Sequence, residues 1–284
     1  MLRARFLFAA ALLSSGVALA DHLAYRLSVN ASPSPAVGQA SRVFLRVYRQ
    51  DGSLVRAFDD LHTQPMHLIA VSQDLEDFQH VHPRLAPWYG YLSTRLSFSR
   101  ATPYTLFAEY DPAGPARERT SRYTMTPAGA MPTPAHLDPS SAFDGELTRR
   151  VTRGTTRVSL VGAMGQRVRA DVATSLHVQV DDTTGAAADL QDYMGMPAHA
   201  IVVSQDLRDF LHLHGMFTSG NGGMTGVVGG HGGHGGHGGT TPPSGATAHL
   251  AVEVTFPRAG LYKLWVQVQR AGRVITVPFV VRAL

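Results

Sequence analysis

The 284-residue chain contains no cysteine. That absence removes disulfides, thiolate metal sites and a lipid-anchored N-terminal cysteine, and leaves His, Met, Asp and Glu as the side chains able to hold a metal ion. Lysine is nearly missing too, since Lys263 is the only one among 25 basic residues. The arginines are scattered along the chain rather than gathered in a stripe with aromatics between them, which argues against a nucleic-acid partner. Beyond the first twenty residues, no apolar run approaches the ~20 residues of a membrane-spanning helix. No segment keeps a helical apolar period between caps, and no nucleophile elbow or Ser-His-Asp order is present.

The first twenty residues have the layout of a secretory signal: Arg3 and Arg5, the apolar run FLFAAALL, then Ala18-Leu19-Ala20 before Asp21. The expectation is an exported, periplasmic or secreted protein that begins at Asp21. With Arg3 and Arg5 gone, little is left of the formal charge of +4. Without disulfides, stability has to come from apolar cores, and each half of the chain is long enough to bury one.

What the chain does contain is a repeat. SQDLEDFQHVH, at 72–82, returns 132 positions later as SQDLRDFLHLH, at 204–214. Upstream, DDLHTQPMH aligns on QDYMGMPAH at the same offset. Downstream, FSRATPYTLFAEY aligns on FPRAGLYKLWVQV at an offset of 158, so the second copy carries an insertion of 26 residues. Copies of this length suit two similar domains rather than a solenoid. Period-two runs such as VFLRVY, HLIAVS, YLSTRLSF, HAIVVS and YKLWVQVQ, separated by Gly, Asp and Pro turns, predict an all-β chain of two tandem immunoglobulin-like β-sandwiches from an internal duplication. The predicted layout is a first domain at 21–126, a Pro/Ala/Ser linker at 127–141, extended and semi-rigid, and a second domain at 142–284. A Gly/His-rich loop at 219–245 interrupts the second domain.

Residues two apart on a strand share a face, so His80 with His82, and His212 with His214, can converge on one ion. If HLIAVS and FQHVH are antiparallel neighbours with Val71 opposite Phe78, His67 falls opposite His82 and completes a triad; the same register yields His199, His212 and His214. A slip of one residue would turn His67 to the other face. Upstream, Met194 and Met196 align with His62 and Gln64. Thioethers favour Cu(I) and imidazoles Cu(II) or Zn(II), so the second copy is expected to be the softer of two separate sites, and copper comes before zinc. In the insertion, His231, His234 and His237 sit on a glycine chain that lets several imidazoles reach one ion. Asp74, Asp77, Asp206 and Asp209 read as turn formers, Phe78, Phe210, Tyr262 and Trp265 as core, and Met66, Met125 and Met164 as packing. The competing reading of the paired histidines is structural, because duplication preserves core and turn residues as well as ligands.

YMGMPAHAIVVSQDLRDFLHLH and FPRAGLYKLWVQVQRAGRVITVPFVVR resemble bacterial exported immunoglobulin-like domains of the YtkA-like and CopC-type envelope modules linked to copper and other heavy metals. The resemblance covers most of 172–282 and implicates Met194, Met196, His199, His212 and His214; the first copy departs from it at His62 and Gln64. The expected function is copper sequestration or delivery in the cell envelope, with metal ions and envelope metal-handling proteins as partners and no catalysis. The alternatives are a metal-free adhesion or scaffold module and a His-ligated zinc enzyme with an open water site.

Overall fold

The computed structural model describes residues 25–114, 118–218 and 247–284. The expected signal segment and the Gly/His-rich loop, with His231, His234 and His237, lie outside them. Among the described residues every regular element is a strand. The first half holds β1 (Tyr25–Ser32), β2 (Ala40–Arg49), β3 (Phe58–Asp59), β4 (His67–Ser72), β5 (Phe78–Val81), β6 (Arg84–Ala86), β7 (Tyr91–Ser97), β8 (Tyr104–Pro112) and β9 (Arg119–Met125). The second holds β10 (Arg149–Arg153), β11 (Thr156–Leu160), β12 (Ala173–Asp182), β13 (Leu190–Gln191), β14 (Ala198–Ser204), β15 (Phe210–Phe217), β16 (Thr247–Thr255), β17 (Gly260–Arg270) and β18 (Arg273–Ala283). All the ladders are antiparallel, as the alternating patterns and turn clusters predict.

In the first half, a sheet of order β1-β2-β7-β6 packs on one of order β3-β8-β4-β5, with β9 alongside β8. In the second half the pairing runs unbroken as β10-β11-β12-β16-β15-β14-β17-β13, with β18 on β17. One residue accounts for the difference. Pro83 lies between β5 and β6 and cannot donate to a ladder, so the chain leaves one sheet and enters the other there. The matched position is Gly215, which pairs with Ala198 on one side and Val252 on the other. A Cβ at Gly215 would come within 3.0 Å of the Ala198 Cβ.

Each half has its own core, in which Val43, Leu45 and Val47 meet Leu68, Leu106 and Tyr110, and Val178 and Val180 meet Ala200, Leu264 and Val266. A third cluster lies between the halves and joins Ile69, Val71, Leu75 and Phe107 to Ile201, Val203, Leu207 and Trp265. Strand β4 is therefore buried on both faces: Leu68 and Ala70 point to the domain core, and His67, Ile69 and Val71 to the seam. Two stacked ring pairs cross the seam in matched fashion, Phe78 on Trp265 at 4.7 Å and Phe107 on Phe210 at 4.5 Å. Such pairs contribute on the order of 1 kcal/mol beyond their burial. The joining segment is fastened across the same seam. Leu137 enters the third cluster, while the Thr133 and Leu137 amides donate to Oε1 of Gln73 and of Gln205, both at 3.0 Å. Met66 and Met125 are buried as expected, whereas Met164 stands 99% exposed and packs on nothing.

Candidate metal centre

Each half approaches the centre through a tight turn. Leu61 and Gln64 exchange backbone hydrogen bonds around His62 and Thr63, whose φ angles are 48° and 69°. Tyr193 and Met196 do the same around Met194 and Gly195, at 54° and 78°. Two successive positive φ values define a type I′ turn. The first carbonyl of each turn faces an imidazole: Leu61 O lies 2.9 Å from His67 Nε2, and Tyr193 O lies 2.8 Å from His199 Nε2. A carbonyl only accepts, so both Nε2 atoms carry the proton and both Nδ1 atoms are bare.

The expected hairpin register is found in both halves. Val71 pairs with Phe78 and Ile69 with His80, while His199 pairs with His214 and Ile201 with His212. The aspartates act at the turns: Asp74 and Asp206 accept from the Ser72 and Ser204 hydroxyls, and Asp77 and Asp209 are tied to the Tyr104 hydroxyl and to Arg258.

The expectation of two separate sites is corrected. Because β4, β5 and β8 face β14, β15 and β17 across the seam, the histidines of both halves form one cluster. The His212 ring lies 5.1 Å from those of both His67 and His80, His80 lies 5.8 Å from His199, and His62 lies 4.1 Å from His214. In two groups, one ring nitrogen from each histidine lies within 4.8 Å of the others: His67, His80 and His212, and His199, His212 and His214. The first crosses the seam, with His212 in the place expected for His82, and His212 belongs to both.

Within the cluster, His67 Nδ1 faces His80 Nε2 at 3.0 Å, and His199 Nδ1 faces His212 Nε2 at 3.0 Å. The outward nitrogens reach across the seam: His80 Nδ1 to Gln267 Oε1 at 2.7 Å, and His212 Nδ1 to Glu109 Oε2 at 2.6 Å. Gln267 is oriented by its own amide, which donates to Thr276 Oγ1 at 3.0 Å. Sequence reasoning missed Glu109 and Gln267. Their signal is a polar residue at the same place in two otherwise apolar strands, LFAEY and LWVQV. The Nε2 atoms of His82 and His214 are buried and have no hydrogen-bond partner among the described residues.

Burial dominates the electrostatics. It pushes His67 and His199 down to about 3 and His80 and His82 to about 4; neighbouring imidazoles add to the effect at all four, while hydrogen bonds to the Leu61 and Tyr193 carbonyls and to Gln267 oppose it at His67, His199 and His80. His62, His212 and His214 are lowered for the same first reason, and burial raises Glu109 well above the usual carboxylate range. The centre is thus a pocket of neutral imidazoles, the protonation state that binds metal. Met194 occupies the turn position matched to His62, and both it and Met196 are half-buried.

The chain belongs to the family described as Domain of unknown function (DUF8832), matched over residues 19–128 and 151–284. No curated protein matches it. Similar solved structures include an anomalous substructure of a titin fragment, at 8% identity over 92% of this chain and 98% of that one, TM-score 0.20. Another is the native conformation of E. coli alpha-2-macroglobulin, at 11% identity over 92% of this chain and 14% of that one, TM-score 0.25. Neither score carries weight, and the immunoglobulin-like assignment rests on the strand order and sheet packing above.

Proposed function

We propose that this is an exported metal-binding protein that holds a transition-metal ion, copper before zinc, in the seam between its two halves, for sequestration or delivery in the cell envelope. The observation that carries the reading is the set of bare nitrogens that converge there. Two ligands at 2.0–2.1 Å from one ion lie about 2.9 to 3.4 Å apart for right-angle to tetrahedral geometry, a range that includes the 3.0 Å between the facing nitrogens of each pair. The orphaned Nε2 atoms of His82 and His214 point the same way, because a buried polar atom without a partner costs free energy. His67, His80 and His212, or His199, His212 and His214, would hold the ion. Glu109 and Gln267 would fix ring orientation from behind, as outer partners of metal-bound histidines do. Met194 and Met196 on the adjoining turn would supply soft donors for Cu(I). The resemblance to envelope metal modules supports the same class.

One observation favours a metal-free scaffold instead. With Glu109 protonated, as its burial favours, its hydroxyl donates to His212 Nδ1 and His212 Nε2–H donates to His199 Nδ1, so that this chain of bonds closes without an ion. That reading leaves the His214 Nε2 without a partner, whereas an ion held by His199, His212 and His214 would engage that ring. The test is a competitive titration with Cu(I), Cu(II) and Zn(II), in a background where His231, His234 and His237 are alanine so that they cannot mask the centre. Tight binding lost in the His67→Ala, His80→Ala, His212→Ala triple variant supports the proposal. Absence of tight binding in the parent contradicts it.

A further inference from the structure

The scattered arginines of the sequence are gathered by the strand register. On β1, β2, β6 and β7 alternate residues face the core, and the others form the outer face of the first half. Arg42 pairs with Arg95, Arg84 lies opposite Ser93, Arg26 lies opposite Tyr48, and Arg46 stands between Ser28 and the Tyr91 position. These four strands carry five arginines on that face and no aspartate or glutamate. None of the five forms an ion pair among the described residues. The matched face of the second half differs: Arg157 pairs with Asp181 at 3.5 Å, and Glu253 stands on β16 nearby. The basic face is therefore particular to the first half.

The aromatic residues on this face are already engaged. The Arg26 guanidinium lies 4.6 Å over the Tyr48 ring and that of Arg46 lies 5.6 Å over Tyr91, while Tyr91 also meets the edge of Phe44 at 5.4 Å and stacks on Tyr89 at 5.9 Å. Trp88 is different: it protrudes from the rim at 90% exposure, the most exposed aromatic of the described residues. Its loop is built to hold it there. The Tyr89 and Gly90 amides donate to Ala86 O at 3.0 and 2.9 Å, and Arg56 Nη1 donates to Trp88 O at 2.8 Å.

A face of arginines without ion pairs, with one tryptophan held exposed at its rim, has the chemistry that meets an anionic bilayer, where basic groups bind headgroups and an indole sits at the interface. Single-stranded nucleic acid would need a row of open rings for stacking, and duplex DNA an element shaped to enter a groove. We propose that this face docks on a bilayer surface rich in anionic phospholipid headgroups, with Trp88 inserted at the interface. The proposal is independent of the metal centre, which lies on the other sheet.

The two tryptophans make the test direct. Trp265 is 4% exposed and stacked on Phe78, so it supplies a constant background, and a change in emission on binding reports Trp88. The full chain is titrated with vesicles of phosphatidylglycerol and phosphatidylcholine, with pure phosphatidylcholine vesicles, and with duplex DNA and an anionic polysaccharide. Expected are co-sedimentation with the anionic vesicles only, a blue shift in emission that is absent in Trp88→Ala, and loss of binding at about 1 M salt, where screening is over a few ångströms. Reversing the exposed Arg42, Arg84 and Arg95 to glutamate should weaken vesicle binding by at least about a hundredfold with thermal unfolding unchanged. Equal binding to neutral vesicles, no vesicle binding, or binding to DNA or polysaccharide without vesicle binding would each overturn the proposal.

Discussion

Glu109 and Gln267 occupy matched places on β8 and β17, and the difference between a carboxyl and an amide there makes the two sides of the cluster unequal. An ion that displaced the His212 Nε2 proton would leave Glu109 and Nδ1 to share one proton, and a carboxylate accepting it from Nδ1–H would raise the basicity of the imidazole more than an amide oxygen does. Glu109→Gln should therefore weaken metal binding by about ten- to a hundredfold, and Gln267→Glu should strengthen it, both read by competitive titration at fixed pH. The lowered imidazoles also set an acid limit. A histidine with an unfolded value of 6.5 and a folded value of about 3 or 4 takes up its proton chiefly on unfolding. Between those values the unfolded chain binds more protons, so stability is full above about 6.5 and is lost as the pH falls toward about 4. Glu109 acts in the opposite sense, but seven lowered imidazoles outweigh it. Urea denaturation of the metal-free protein should give its highest midpoint above pH 6.5 and a falling midpoint from there to pH 4. A midpoint that stays flat across this window would show that the imidazoles are accessible to protons in the folded state.

At the scale of elements, the strands and their approximate limits were legible from alternation and turn clusters, whereas the hairpin register was one choice open to a slip of one residue, and the structure has the pairing of Val71 with Phe78. The triads followed from that register. The merging of the triads did not, since no local pattern states which outer face of a sandwich meets another. The clue lay in HLIAVS, apolar at both parities and so buried on two faces, one more than a single sandwich requires. The joining segment reads from its composition as an extended, semi-rigid linker; the Gln73 and Gln205 side chains that hold its Thr133 and Leu137 amides are too far off in sequence to be seen as partners. Thr63 carries a testable cost in the type I′ turn. Its φ of 69° is unfavourable for a β-branched residue, and the matched position is Gly195. Thr63→Gly should raise stability by about 1 kcal/mol, as measured by chemical denaturation, with the Leu61 carbonyl still facing His67. A loss of stability would mean that the threonine side chain makes a contact worth more than the strain.

For the molecule as a whole, the two sandwiches are better regarded as one unit than as beads on a string. They share the stacked pairs Phe78 with Trp265 and Phe107 with Phe210, the Lys263–Glu76 ion pair at 3.2 Å, and hydrogen bonds in both directions at the histidine cluster. Isolated halves would each expose an apolar face and lose the outer partner of their own His-x-His. The central claim, that one cluster built by both halves holds the ion, turns on His212, which belongs to both three-histidine groups. The most direct test is the copper stoichiometry and affinity of His212→Ala, with His231, His234 and His237 also replaced. The account predicts loss of all tight binding, because removing this one side chain leaves two donors in each group. Retention of half the stoichiometry at unchanged affinity would mean that each half binds its own ion independently, and would contradict it.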